Sequence, residues 1–171
     1  MCKILGYTIL GNGMLTIAKQ SLDRLRDKIR KITKRNRGAS IEVVIAEINK
    51  IIPGWVRYFK LARCTHKLED LDGWIRRKLR CYRLKQLKRT YTIMCELRLL
   101  GVPEWQAWIC ALSGKGWWRK AGMPQTNMAM SNNWLKTKGL ISACAMYQTL
   151  WKKKETAVYD EYVRWCGRSG L

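Results

Sequence analysis

Between Leu22 and Tyr82 the apolar residues recur three or four positions apart, in three runs separated by short polar or Pro-Gly segments. A period of about 3.6 residues confines this stretch to α-helices that each bury one stripe. In the first run Leu22, Leu25, Ile29 and Ile32 form the stripe, and Arg24, Arg26, Lys28, Arg30 and Lys31 fill the positions between. Ser21 is the expected N-cap, with Asp23 in the first turn. The segment 34–39 ends that helix and Ser40 caps the next, whose stripe is Ile41, Val44, Ile48, Ile51 and Trp55, interrupted or kinked at Pro53-Gly54. Few cations lie on this second helix, which makes it the expected buried element. The third runs from about Lys67 to Arg89 on Leu68, Leu71, Ile75, Leu79 and Tyr82.

The flanks are shorter. Lys3 to Ile9 and Met14 to Ile17 are apolar runs around Gly11-Asn12-Gly13, which predicts a two-stranded hairpin. A lone hairpin is marginal, so this one is expected to be the edge of a larger sheet. After Thr90, Gly101 and Pro103 punctuate small helices, one of them with Trp105, Trp108, Ile109 and Leu112 on a face. The reading is a mainly α chain: a hairpin over 1–20, a three-helix bundle over 21–89, small helices over 90–151, and an unassigned tail over 152–171.

Thirty-four Lys and Arg against twelve Asp and Glu leave +22 on 171 residues. A polyphosphate backbone matches such an excess, because each neutralised phosphate releases a counterion. The charge is spread along the chain, unlike that of a detachable membrane-binding helix, and no apolar run approaches the ~20 residues of a membrane span. RNA and DNA are therefore the expected partners, a membrane is not, and the expected compartment is the cytoplasm. The seven cysteines include no C-x-x-C pair, and Cys64-x-His66 is the nearest approach to metal-ligand spacing. Buried thiols are expected in place of a metal site.

Candidate contact residues follow from the charge pattern. Arg76, Arg77, Arg80 and Arg83 fall on the arc of the third helix opposite its apolar stripe, the arrangement a phosphate-tracking helix needs. Arg24 and Arg30 add cations on the first helix. In Arg35-Asn36-Arg37-Gly38, a positive φ at Gly38 is expected to end the first helix while Arg35 and Arg37 project. In Ser113 to Lys120, glycines flank Lys115 and precede Trp117, Trp118 and Arg119, which suits a second contact surface separate from the arginine comb. The competing reading puts the two indoles in the core. No catalytic residue is expected, since the nearest acids, Glu69, Asp70 and Asp72, read as dipole partners at the start of the third helix.

Several motifs in order resemble the C-terminal part of group II intron reverse transcriptases, from thumb to maturase-specific region. They are Leu5-Gly6-Tyr7; Ile29 to Thr33; Arg35 to Gly38; Gly54-Trp55-Val56-Arg57-Tyr58-Phe59; Leu71-Asp72-Gly73-Trp74-Ile75-Arg76-Arg77-Lys78-Leu79-Arg80; Leu100-Gly101-Val102; Ala107-Trp108; Ser113 to Arg119; and Gly139-Leu140-Ile141. The resemblance implies that Leu5-Gly6-Tyr7 is the last palm motif, which grips a primer end. It makes 21–89 a thumb on template–primer duplex and intron RNA, and the remainder a segment that seats the DNA target. Maturases of this family fold their intron for splicing, and the polymerase then copies the intron into DNA. This sequence lacks the Tyr-x-Asp-Asp turn that holds Mg²⁺ in the palm, so no cofactor is expected in this chain and Mg²⁺ only with a palm. The implied function is nucleic-acid binding, to intron RNA for splicing and to template–primer duplex for mobility. Two alternatives stand beside it: a thumb acting in trans with a separate finger–palm chain to give RNA-directed DNA polymerase, or a generic basic RNA-binding remnant.

Overall fold

A computed structural model describes residues 2–11, 13–34 and 37–151. Three short strands open the chain, β1 (Cys2–Ile4), β2 (Tyr7–Ile9) and β3 (Leu15–Ile17), in an antiparallel sheet of order β1-β2-β3. The run expected as one strand is thus two. Ile4 pairs with Tyr7 across a two-residue turn in which Leu5 has φ +50° and Gly6 φ +84°, the primed geometry that suits strand twist. Three hydrogen bonds tie the far strand to residues 63 and 67. Lys67 Nζ donates to Thr16 Oγ1 at 2.9 Å and to the Ile17 carbonyl at 2.8 Å, and Arg63 N donates to the Leu15 carbonyl at 2.9 Å.

The bundle is α1 (Lys19–Ile32), α2 (Ile41–Tyr58) and α3 (Thr65–Leu87). Helix α1 begins two residues before Ser21, which is therefore not its cap. The Ser21 hydroxyl donates to the Gly6 carbonyl at 3.1 Å and holds the strand turn against α1. Ser40 does cap α2, its Oγ accepting from Val43 N at 3.4 Å. Helix α2 runs through Pro53 to Tyr58 without a break. Leu25, Ile29, Val44, Ile48, Leu68, Leu71, Ile75 and Leu79 are all buried, as the stripes require. Along α2 the buried face includes Ile45 and Ile52, and Ile51 and Trp55 sit half-buried at its margin.

Beyond α3 come α4 (Thr90–Leu99), α5 (Glu104–Leu112), α6 (Trp117–Lys120), α7 (Pro124–Ala129) and α8 (Asn132–Thr137). With Cys81 and Leu84 of α3, residues from α4 to α7 form a second core. A final helical run over 143–151 returns to the first core through Ala143, Cys144 and Tyr147.

One buried carboxylate fixes that return. Asp72 accepts from Ser142 Oγ at 2.6 Å, Ala143 N at 2.9 Å and Cys144 N at 3.0 Å. Asp72 is a dipole partner, as expected, but of the helical run 143–151 and not of its own helix. Replacing it with Ala leaves buried N–H donors without an acceptor, and should lower unfolding free energy by about 2–3 kcal/mol in denaturant titration. Amide exchange at Ala143 and Cys144 should accelerate first. A second tie gives a pH signature. Lys138 Nζ donates to Glu42 Oε1 at 2.8 Å, and this bond, helped by a backbone amide, holds the Glu42 carboxyl at about 2 against an ordinary 4.5. Because the folded-state value is depressed, the tie is fully present above pH 4.5 and lost as pH falls toward about 2. Glu42→Gln should flatten the acid limb of the stability curve in that window by lowering stability above it, modestly for so exposed a pair, toward the level the unsubstituted chain reaches in acid.

Candidate nucleic-acid interface

The arginines of α3 are used inside the protein more than the sequence suggests. Arg80 is buried; its Nε donates to the Met130 carbonyl at 2.7 Å and its Nη2 to Asn132 Oδ1 at 3.3 Å. Burial first, and then the charge of Arg76, press the Arg80 pKa downward. Arg83 sends Nε and Nη2 to Glu96 Oε1 at 3.0 and 2.6 Å, pinning α3 to α4. Arg77 donates Nε and Nη2 to the Trp118 carbonyl at 3.2 and 3.0 Å, with its guanidinium 4.4 Å from the Trp118 ring centroid. Gly122 leaves room beside it: a β-carbon there would lie 2.8 Å from Arg77 Nη2 and displace the guanidinium. Arg76 is half-buried. As a free comb facing solvent, this set does not exist.

A different face of α3 is open. Trp74, Lys78 and Lys85 lie four and seven residues apart, so they share one side of the helix. From α1, the guanidinium carbons of Arg26 and Arg30 stand 5.9 and 5.6 Å from the Trp74 ring. On the other flank, Gly116, Trp117, Trp118 and Arg119 border an open hollow of about 580 Å³ with Lys78, Cys81 and Lys85 as its floor. Burial first, and then the like charges of Lys85 and Arg30, lower the Lys78 pKa, with the Cys81 thiol offsetting them in part. Neither Lys78 nor Lys85 has an ion pair among the described residues. The sequence reading passed over both, although Trp74, Lys78 and Lys85 at helical spacing were a signal for them.

The Trp117 segment belongs to this hollow and is not a separate surface. Trp117 packs on the second core, while Trp118 keeps 40% of its surface exposed and lies over Arg77. One indole is therefore packed against the core and the other is open to solvent. Lys115 and Arg119 are exposed; Lys120 is buried and donates to the Ala111 carbonyl at 2.9 Å.

A second hollow, about 470 Å³, lies on the far flank of α1. Leu5, Gly6, Arg24, Lys28, Trp55 and Tyr58 line it. The Tyr58 hydroxyl donates to the Leu5 carbonyl at 2.7 Å, and the Tyr7 hydroxyl donates to the Tyr58 carbonyl. These bonds hold a non-glycine residue in the left-handed region with its side chain 79% exposed, a strained presentation of the kind found at functional sites.

Arg37, expected to project, folds back. Its two terminal nitrogens donate to Glu47 at 2.7 Å each, and Nη1 also donates to the Ile32 carbonyl at 3.1 Å. The physical reason is the carboxylate on α2, whose paired oxygens fit a guanidinium fork. Gly38 has the expected positive φ, but α1 already ends at Ile32. Arg35 and Asn36 lie outside the described residues, as does the tail from 152. Among the described residues no group of three His, Cys, Asp or Glu is placed to hold a metal ion, and no helix is long and apolar enough to cross a membrane.

Residues 22–97 match the family described as group II intron, maturase-specific domain. No curated protein matches the chain. The matched stretch holds nearly all of α1, the whole of α2 and α3, and most of α4, and so contains Arg26, Arg30, Trp74, Lys78 and Lys85, but neither the Leu5–Gly6 turn nor the Trp117 segment. Residues 22–97 are therefore similar to the group II intron maturase-specific domain over somewhat less than half of the chain.

Proposed function

We propose that the chain binds structured group II intron RNA and assists its splicing, with the hollow between α3 and α6 as the main contact surface. The observation that carries this is a hollow floored by Lys78 and Lys85, neither of which has an ion pair among the described residues, and bordered by the exposed Trp118 and Arg119. Phosphate oxygens supply the missing anion, and the exposed part of Trp118 offers a stacking surface worth about 1–3 kcal/mol per base. Arg119 and Lys115 extend the cationic border.

A second reading, template–primer binding in trans with a separate finger–palm chain, draws on the other hollow. Arg24 and Lys28 stand beside the strained Leu5–Gly6 turn, and the outer edge of β1 has no strand partner among the described residues. An open edge is a place for another sheet to join. Mixing the chain with a finger–palm polypeptide and assaying primer extension tests it.

For the main reading, Lys78→Gln with Lys85→Gln should weaken intron RNA binding and reduce the slope of log affinity against log salt by roughly two, one per lost phosphate contact. The thermal midpoint should stay put or rise, since two repelling cations are removed. Arg80→Gln should do the reverse: a stability loss of about 2–3 kcal/mol from the unsatisfied Met130 carbonyl, with little change in salt slope. Titrations at several salt concentrations, alongside melting curves, read both. An unaltered slope in the lysine variant removes the hollow from the contact surface.

A further inference from the structure

Helix α5 is inside out. Its small residues Ala107, Cys110 and Ala111 face inward and are buried, whereas Trp105, Ile109 and Leu112 are 65, 50 and 68% exposed. Trp108 falls on the same outer arc and is half-buried. The small inner face lets α5 lie close to its neighbours, and Cys110 Sγ comes within 3.4 Å of Thr126 Oγ1 on α7. A globular helix ordinarily turns its large apolar side chains to the core, so this arrangement presents a two-turn stripe to something outside.

The charge around the stripe limits what that is. Residues 102–114 contain no Lys or Arg, in a chain where they number 34 of 171. A surface built for phosphate would carry them. At the N-terminal end of the stripe Glu104 is neutralised by Arg98 at 3.1 Å. At the other end the cations have no acid in an ion pair among the described residues: Lys115 follows α5, and Tyr91, 6.4 Å from Trp108 between ring centroids, brings the start of α4 alongside with Lys88 and Arg89. A second copy of this chain would bring +22 against +22, with like cations at the same end.

We propose that the outer face of α5 docks an amphipathic helix of another polypeptide, one with two turns of apolar side chains and acidic residues at the end that meets Lys88, Arg89 and Lys115. The apolar stripe supplies affinity and the cationic end sets orientation and selects against basic partners.

The test uses the full chain and two fluorescent synthetic helical peptides with the same leucine stripe, one ending in glutamates and the other in lysines. The glutamate peptide should bind, and the lysine peptide should bind more weakly by about 10-fold or more. Trp105→Ala with Leu112→Ala should cost the glutamate peptide about 10-fold or more while leaving RNA affinity and the thermal midpoint unchanged, since both side chains are exposed. Equal binding of the two peptides overturns the proposal, as does indifference of the glutamate peptide to the double substitution. A concentration-dependent dimer that the substitution abolishes would make a second copy the occupant. Competition between RNA and the peptide for the stripe would make it a nucleic-acid surface. Either outcome also overturns the proposal, and neither bears on the Lys78–Lys85 hollow.

Discussion

Asp72 and Arg80, buried on α3 and eight residues apart, accept and donate hydrogen bonds to parts of the chain fifty or more residues downstream. Among the described residues, the segments that follow the bundle are held in register by such bonds. Two apolar cores give compactness, but apolar contact alone is permissive of sliding. A carboxylate that takes two consecutive backbone N–H groups and a guanidinium aimed at one carbonyl admit only one position. Their removal from water makes them costly to satisfy in any other way. Arg83 on Glu96 and Arg77 on the Trp118 carbonyl repeat the device toward α4 and α6.

This explains which parts of the fold were legible in the sequence. The bundle was, because burial of a stripe is a local, periodic property that Leu68, Leu71, Ile75 and Leu79 display without reference to the rest of the chain. The fate of Arg80 was not. A guanidinium carries the same charge whether its acceptor is a phosphate or the Met130 carbonyl, and that carbonyl leaves no mark in sequence. Arg37 was misread likewise, since Glu47 is near only once α2 has folded back. The Leu5–Gly6 turn was missed because Leu rarely takes a positive φ; bonds from Tyr58 and Ser21, remote in sequence, enforce it. Lys78 and Lys85 could have been found by asking which cations share a helical side with Trp74.

Helix α1 divides the basic surface. Arg24 and Lys28 look toward the Leu5–Gly6 turn, whereas Arg26 and Arg30 lie over Trp74 toward α3. Residues two apart on a helix point about 200° from one another, so these pairs serve opposite flanks. The helix therefore carries two separate cationic flanks, with the apolar stripe of Leu22, Leu25 and Ile29 turned into the core.

The crowding at Lys78 also has a meaning for the protein alone. Cations held together by a folded backbone are a repulsion that the unfolded chain, free to spread them, does not bear. Anything that screens or neutralises them favours the folded state, so occupancy of the hollow and folding of the domain are thermodynamically linked. Simple salt should thus stabilise this protein weakly, by screening, and any polyanion that entered the hollow would act on it as a folding ligand.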